Sequence, residues 1–304
     1  MNKKILILLT TYNGARYIKQ QIDSLLNQTY KNFEIIARDD GSSDNSFEIL
    51  ISYDIKILES MKNLGAKGSF GTLLEYAVQN SDSEYFMFCD QDDVWENDKI
   101  EKTFIKMLEM EKSNTITPLL VHTDLKVVDE KLVSTADSFW NYQNIDPKKD
   151  SLNRLLVQNT ITGCTMMINR KLAELALPVP KECIMHDWWI GLVASAFGRI
   201  DVINDKTISY RQHSSNDTGA KKFGIKHIIS KIKKYQELNT DKHLAQANSF
   251  LNCYRDRLDT ETVLMLEDFI NIKSKSFWRK RKILIKHNLL MQGFIRNIGL
   301  MLTI

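Results

Sequence analysis

Short apolar runs alternate with amphipathic stretches through roughly the first hundred residues. The run at residues 5–9 is continuous, brief and followed directly by Thr10-Thr11-Tyr12-Asn13-Gly14, so it reads as a buried strand. Ile18, Ile22, Leu25 and Leu26 then recur at helical spacing, residues 33–37 form a second apolar run, and a helix opens near Asp44. Residues 55–58 make a third strand. Phe70, Leu73, Leu74, Ala77 and Val78 mark another helical face, and the run at 85–89 ends in Asp90-Gln91-Asp92-Asp93. This rhythm is that of βαβ units and predicts an α/β fold with a mostly parallel central sheet. Ligands of such sheets gather at the carboxyl ends of strands. The polar segments 10–14, 39–43, 63–69 and 90–93 all fall there.

From about Leu119 the rhythm changes to hairpin-like strands at 119–123, 126–128 and 160–168, with short helices, one of them around 186–196. This half is expected to read a second substrate. Beyond roughly Gly224 the pattern is helical throughout, with no proline after Pro180. The expected organisation is a catalytic domain over 1–220 and a helical extension over 221–304. In the final helix Phe277, Leu284, Met291, Ile295, Ile298 and Leu302 fall on one stripe, and Lys275, Arg279, Lys282 and Lys286 on another. A basic amphipathic helix suits the anionic inner face of the cytoplasmic membrane. The competing explanation is a helix whose apolar stripe packs on the domain while its charges stay in water.

Composition narrows the class. At 43% hydrophobic and 26% charged residues the 304-residue chain is an ordinary globular protein. Its net charge of +3 is unevenly spread, with Lys and Arg concentrated at the end, although the basic run lacks the aromatic interleaving of a nucleic-acid surface. The four cysteines have no metal-binding or disulfide spacing, which fits a cytoplasmic setting. The apolar run at the N-terminus is too short for a secretion signal, and no stretch reaches the roughly twenty apolar residues needed to span a bilayer.

Several carboxylates converge where the strand at 85–89 opens into a loop. A hard divalent ion with oxygen ligands would relieve their repulsion and bridge to a diphosphate. One of them could instead cap the following helix, a role that needs a single carboxylate. Apolar residues followed by Asp90-Gln91-Asp92-Asp93-Val94 also match the nucleophile motif of haloacid-dehalogenase-like phosphatases, but that motif normally ends the first strand. Asp39-Asp40-Gly41-Ser42-Ser43-Asp44 could hydrogen-bond a base and ribose, or be only a turn and helix cap. The same two readings apply to Thr11, Tyr12 and Asn13. His186-Asp187-Trp188-Trp189 sets a carboxylate beside large aromatics: partial burial would make Asp187 a better base, or Asp187 could cap a helix with both tryptophans in the core. Gly163 permits close backbone approach or merely turns the chain.

Taken together, residues 9–14, 24–30, 33–44, 63–65 and 90–95, in this order and spacing, resemble family 2 glycosyltransferases, bacterial rhamnosyltransferase-like members among them. The resemblance covers about residues 3 to 215 and implies the GT-A fold. It assigns Thr11, Tyr12, Asn13, Asp39, Asp40, Asn63, Asp90 and Gln91 to nucleotide binding. Asp90 and Asp92 form its DxD element, with Asp92 the direct ligand of Mg2+ or Mn2+. The segment Tyr210-Arg211-Gln212-His213-Ser214-Ser215-Asn216 resembles a late YRxHxxN element and makes His213 a candidate third ligand. Asp187 takes the place of the catalytic base, and Gly163, Trp188 and Trp189 lie on the acceptor side. The implied reaction is inverting transfer from a dTDP- or UDP-sugar, dTDP-L-rhamnose first, to a saccharide or lipid-linked saccharide in bacterial surface polysaccharide synthesis. A non-catalytic nucleotide-binding or membrane-scaffold relative is the alternative of a different class.

Overall fold

The computed structural model describes residues 3–58, 62–112, 117–213 and 225–304, with side chains from residue 240 onward in the last segment. The first half runs β1 (Ile5–Thr11), α1 (Ile18–Leu26), β2 (Phe33–Asp39), α2 (Ser46–Ile51), β3 (Lys56–Leu58), α3 (Gly65–Gln79) and β4 (Tyr85–Cys89). Every residue of β1 and β4 is buried, because helices cover both faces of the sheet and leave no face for polar alternation. Strand alternation divides their side chains between two cores. Leu6, Leu8, Phe86 and Phe88 join the core under α3, while Ile5, Ile7, Leu9, Met87 and Cys89 join the one under α1. Parallel pairing sets Thr11 beside Asp39 and Leu9 beside Cys89. The polar segments after β1, β2 and β4 therefore emerge along one edge of the sheet.

The second half continues with β5 (Val94–Trp95), α4 (Lys99–Glu111), β6 (Leu119–Val128), β7 (Ser134–Ala136), α5 (Phe139–Gln143) and α6 (Leu152–Leu155). A single 3-10 turn at Gly163–Thr165 leads to β8 (Met167–Asn169), α7 (Arg170–Ala176), α8 (His186–Phe197) and β9 (Arg199–Arg211). The strands form one nine-stranded sheet in the order β3-β2-β1-β4-β8-β6-β9-β5, with β7 on β6. It is mixed: β8 runs antiparallel to β4 and to β6, whereas β9 runs parallel to β6.

Three local expectations change. The strands expected at 119–123 and 126–128 are one strand, β6, whose register on β9 shifts around Asp124. The polar Thr123-Asp124 pair reads as a break in sequence, yet the buried Asp124 accepts from Ser138 and from the backbone N–H of Trp140 and Leu125. The stretch 160–168 is mostly loop and 3-10 turn, with strand only from Met167. β9 has the sequence RIDVINDKTISYR, whose first half, nowhere fully buried, hides the strand pattern.

The C-terminal helices are α9 (Ile225–Tyr254), α10 (Thr260–Ile270), α11 (Phe277–Lys286) and α12 (Phe294–Thr303). The expected division at residue 220 lies outside the described residues. Leu244, Phe250, Leu266, Phe269, Leu284 and Leu300 share one core cluster with Leu6, Phe86 and Trp189. The expected single terminal helix is two. Asn288 and Gly293 take φ of 51° and 89°, values a right-handed helix excludes. Met291 falls in the break, Leu284 is fully buried, and Phe277, Ile298 and Leu302 are exposed, so the apolar residues of the stripe do not share one face.

Candidate active site

The carboxyl ends of β1 and β4, the start of α3, and the 3-10 turn and start of α8 enclose a cavity of about 620 Å³, within the usual range for small-molecule sites. The first half of the chain contributes a first wall of Thr11, Tyr12, Asp40, Asn63, Asp90, Gln91 and Asp92, and the second half contributes Asn159, Thr160, Gly163, His186, Asp187 and Trp188. The structure thus brings together segments read separately in the sequence.

Gln91 organises the first wall. Its Oε1 accepts from Thr11 Oγ1 at 2.7 Å and from the Tyr12 N–H at 2.8 Å, and its Nε2 donates to the Tyr12 carbonyl at 3.2 Å. Gly14 makes room for it, since a Cβ there would lie 2.1 Å from Gln91 Oε1. Asp40 is a support. It forms a buried ion pair with Arg38, and its carboxylate accepts from the Leu64 and Gly65 N–H groups at 2.8 and 2.7 Å. Arg38 also donates to the Lys62 carbonyl at 2.8 Å, so this pair ties the end of β2 to the start of α3. Sequence reasoning passed over Arg38. Its signal was a charge inside an otherwise buried strand.

Two expected nucleotide residues do not line the cavity. Asn13, at φ 49°, accepts from the Ser43 N–H at 2.8 Å and so staples the β1 loop to the β2 loop. Asp39 is turned into its own loop, accepting from the Gly41 and Ser42 N–H groups and from Ser42 Oγ. Both shape the wall from behind.

At the acidic corner Asp92 is buried, and its Oδ2 lies 2.7 Å from His213 Nε2. Burial raises the Asp92 carboxyl above its ordinary pKa, opposed by His213 and by the charge of Arg211. Asp93, which the sequence reading named in the acidic run without giving it a role, is fully buried. One of its oxygens accepts from the Arg211 N–H at 3.1 Å, and the carboxyl also interacts with the Cys164 side chain. Burial and its acidic neighbours push its pKa well up. Asp90, Asp93 and Cys164 place ligand atoms within 4.8 Å of one another. Asn216 of the late motif lies outside the described residues.

Asp187 lies in the first turn of α8. Its carboxylate accepts from the Gly163 N–H at 2.9 Å and the Trp188 N–H at 2.6 Å. Burial pushes its pKa up to about 6 even against these two donors. Gly163 keeps this corner uncrowded, because a Cβ would lie 2.9 Å from His186 Nε2 and 3.4 Å from Asp187 Cβ. His186 is itself buried against Phe70 and Phe88 at 4.2 and 5.2 Å, which lowers its pKa to about 3 and keeps the ring neutral. Trp188 lines the cavity while its Nε1 donates to the Leu155 carbonyl. Trp189 is a correction. It is fully buried, donates to the Ala176 carbonyl at 2.8 Å and packs on Phe250 and Tyr254, since the next residue along a helix points about 100° away.

The chain is similar to known proteins in sequence and in fold. An uncharacterised glycosyltransferase of Rickettsia typhi is 33% identical over 162 residues, 53% of this chain and 49% of that protein. The Escherichia coli UDP-Glc:alpha-D-GlcNAc-diphosphoundecaprenol beta-1,3-glucosyltransferase WfgD is 32% identical over 170 residues, 55% of this chain and 60% of its own. The dTDP-rhamnosyl transferase RfbG of Shigella flexneri is 28% identical over 228 residues, 70% of this chain and 74% of its own. The chain spans about half or less of the length of several of the curated relatives it matches. Among solved structures, S. aureus TarS 1-349 in complex with UDP superposes with a TM-score of 0.57 at 17% identity, covering 90% of this chain and 72% of that one. These structures share the GT-A fold. The pattern of glycosyl transferase family 2 matches residues 6–175, more than half of the chain, and the protein belongs to that family.

Proposed function

We propose that the chain catalyses inverting transfer of a sugar from a nucleoside diphosphate to a hydroxyl of a saccharide or lipid-linked saccharide, in the synthesis of a bacterial surface polysaccharide. One observation carries this reading: a single cavity is lined both by nucleotide-type loops with Asp90 and Asp92 and by the buried, raised-pKa Asp187. Asp187 takes the proton of the acceptor hydroxyl as its oxygen attacks the anomeric carbon opposite the diphosphate, so configuration inverts in one step. The N-terminus of α3, where Gly65 and Ala66 line the cavity, favours the negative charge of that diphosphate. A dTDP-L-rhamnose donor is supported by the likeness to RfbG, and a UDP-hexose by the likeness to WfgD and by the UDP complex of TarS.

The acidic corner fits Mg2+ or Mn2+. Asp92 Oδ2 and His213 Nε2 lie 2.7 Å apart, and in the same loop Asp90 and Asp93 place carboxylate oxygens within 4.8 Å of each other and of Cys164 Sγ. Oxygen donors with one imidazole suit hard divalent ions. The soft sulfur of Cys164 is not a donor that such ions favour. Asp92, Asp90 and His213 would hold the ion, which when bound offsets the charge of the leaving diphosphate. A solved neighbour, the mannosyltransferase PcManGT of Pyrobaculum calidifontis, is in complex with GDP-Man and Mn2+.

Peripheral attachment at the cytoplasmic membrane face belongs to the same reading. Among the described residues no helix is long and apolar enough to cross a membrane. α11 and α12 expose Trp278 and Phe294, each at 80%, near Lys275, Arg279 and Lys282, which suits an anionic lipid surface. Flotation with anionic vesicles at low salt is expected for the wild type and reduced for Trp278→Ala/Phe294→Ala. Equal flotation of both would remove this part.

The first experiment is thermal melting with dTDP, UDP, GDP and their sugars, with and without Mn2+. A ligand at a hundred times its dissociation constant adds about 2.7 kcal/mol. A Mn2+-dependent shift with one nucleotide, lost in Asp92→Ala, is expected. A shift without turnover on any acceptor would instead indicate a non-catalytic binding protein.

A further inference from the structure

His213 has to present Nε2 to Asp92, although Arg211 is the last residue of the strand before it. What surrounds the imidazole comes from the far end of the chain. At the mouth of α1 the Gly14 carbonyl accepts from the N–H groups of Tyr17 and Ile18 at 2.9 and 3.0 Å. That turn delivers the Tyr17 ring to His213, stacked at 4.8 Å between centroids and 26° between planes. The Arg211 guanidinium sits 4.7 Å from the centre of the same ring. Among the described residues the buried Tyr17 hydroxyl has no hydrogen-bond partner, and the contacts this side chain makes with His213 and Arg211 are through its ring.

Arg211 is in turn fixed on several sides. Its Nε donates to the Asp92 carbonyl at 2.7 Å, Nη1 to the Glu130 carbonyl at 2.7 Å and Nη2 to Gln20 Oε1 at 2.5 Å, while its backbone N–H reaches Asp93. One buried guanidinium thus holds the backbone of the acidic loop and rests on the ring that stacks on His213. Such a fork cannot be replaced by an ammonium.

The geometry points to Tyr17 and Arg211 as positioning residues that hold His213 Nε2 against Asp92 and so set the affinity of this corner for a divalent ion. This rests on the proposed role of Asp92 and His213. Groups that orient a ligand side chain from behind typically change metal affinity by about 10–100-fold when removed.

The test measures Mn2+ binding by electron paramagnetic resonance with saturating UDP or dTDP, whichever the wild type binds. Binding of the nucleotide alone, without metal, is measured by calorimetry. Tyr17→Leu is expected to weaken Mn2+ at least about tenfold while nucleotide binding without metal stays within about twofold, and Tyr17→Phe is expected to restore wild-type Mn2+ affinity. Arg211→Lys should move in the same direction as Tyr17→Leu and serves if the leucine variant does not fold. Wild-type Mn2+ affinity in a folded Tyr17→Leu or Arg211→Lys protein overturns the inference, as does parallel loss of metal and metal-free nucleotide binding. If the wild type binds nucleotide with no Mn2+ dependence, the metal reading of Asp92 and His213 fails first.

Discussion

Asp187 must be a base where burial disfavours its charge. Its pKa of about 6 leaves it ionised at neutral pH and only weakly reluctant to take a proton. The acid limb of kcat/KM is therefore expected near pH 6, and Asp187→Asn should lower kcat by about 10²–10⁴-fold with little change in nucleotide binding. The linkage has the opposite sign for stability. A carboxyl raised from 3.8 to about 6 favours the fold while protonated, fully so below about pH 4, and that stabilisation, about 3 kcal/mol, is lost as pH rises through 6. Asp187→Asn should thus gain melting temperature relative to wild type at pH 8 compared with pH 4; an unchanged difference across that range would argue against the raised pKa. Arg38 presents the reverse case, a charge whose partner is also buried. Arg38→Met would strand Asp40 and should cost about 3–5 kcal/mol in denaturant unfolding.

At the scale of elements, the site depends on how α8 is placed. Its first turn carries Asp187, and its end must pass Gly198 before β9 begins at Arg199. A Cβ on Gly198 would stand 2.0 Å from the Pro118 carbonyl oxygen, a backbone atom that cannot swing aside. Gly198→Ala is expected to destabilise by about 1–3 kcal/mol or more, read as a lower denaturant midpoint. Gly163→Ala meets side-chain atoms of His186 and Asp187 instead. It should leave the fold nearly intact and lower kcat by displacing the base, which steady-state kinetics on the purified variant would reveal.

The whole molecule is organised around two cores on either side of one sheet, and α9 to α12 contribute to one of them. Leu266, Phe269, Ile272, Leu284 and Leu289 are buried there, so a chain ending after Tyr254 would expose a large apolar surface. Such a truncation is expected to aggregate or to lose its cooperative thermal transition, whereas a soluble, normally melting fragment would show an independent extension. The strands of the first half were legible because continuous apolar runs such as 5–9 and 85–89, buried on both faces, leave few alternatives. β9 was not, because none of its residues from Arg199 to Lys206 is buried and polar residues interrupt its pattern. The break between α11 and α12 was hidden because a positive φ at Asn288 leaves no hydrophobic signature.

The candidate residues divide along the same line. Local composition picked out the acidic strand end with Asp90 and Asp92 and the aromatic-flanked Asp187, each with a second reading, and the family resemblance supplied their roles. Whether a given polar side chain faces the ligand or holds its neighbour is decided by rotation about the backbone and by partners distant in sequence. Asn13 and Asp39 turned into loops, Trp189 turned into the core, and Arg38, Asp93 and Arg211 acquired their roles from residues that only the folded chain brings within hydrogen-bonding distance. The amino-acid pattern by itself determined the strands and helices of the first half and the edge at which chemistry collects. Tertiary structure decided which carboxylates share a cavity, because burial and long-range contact exist only after the two halves close on one sheet.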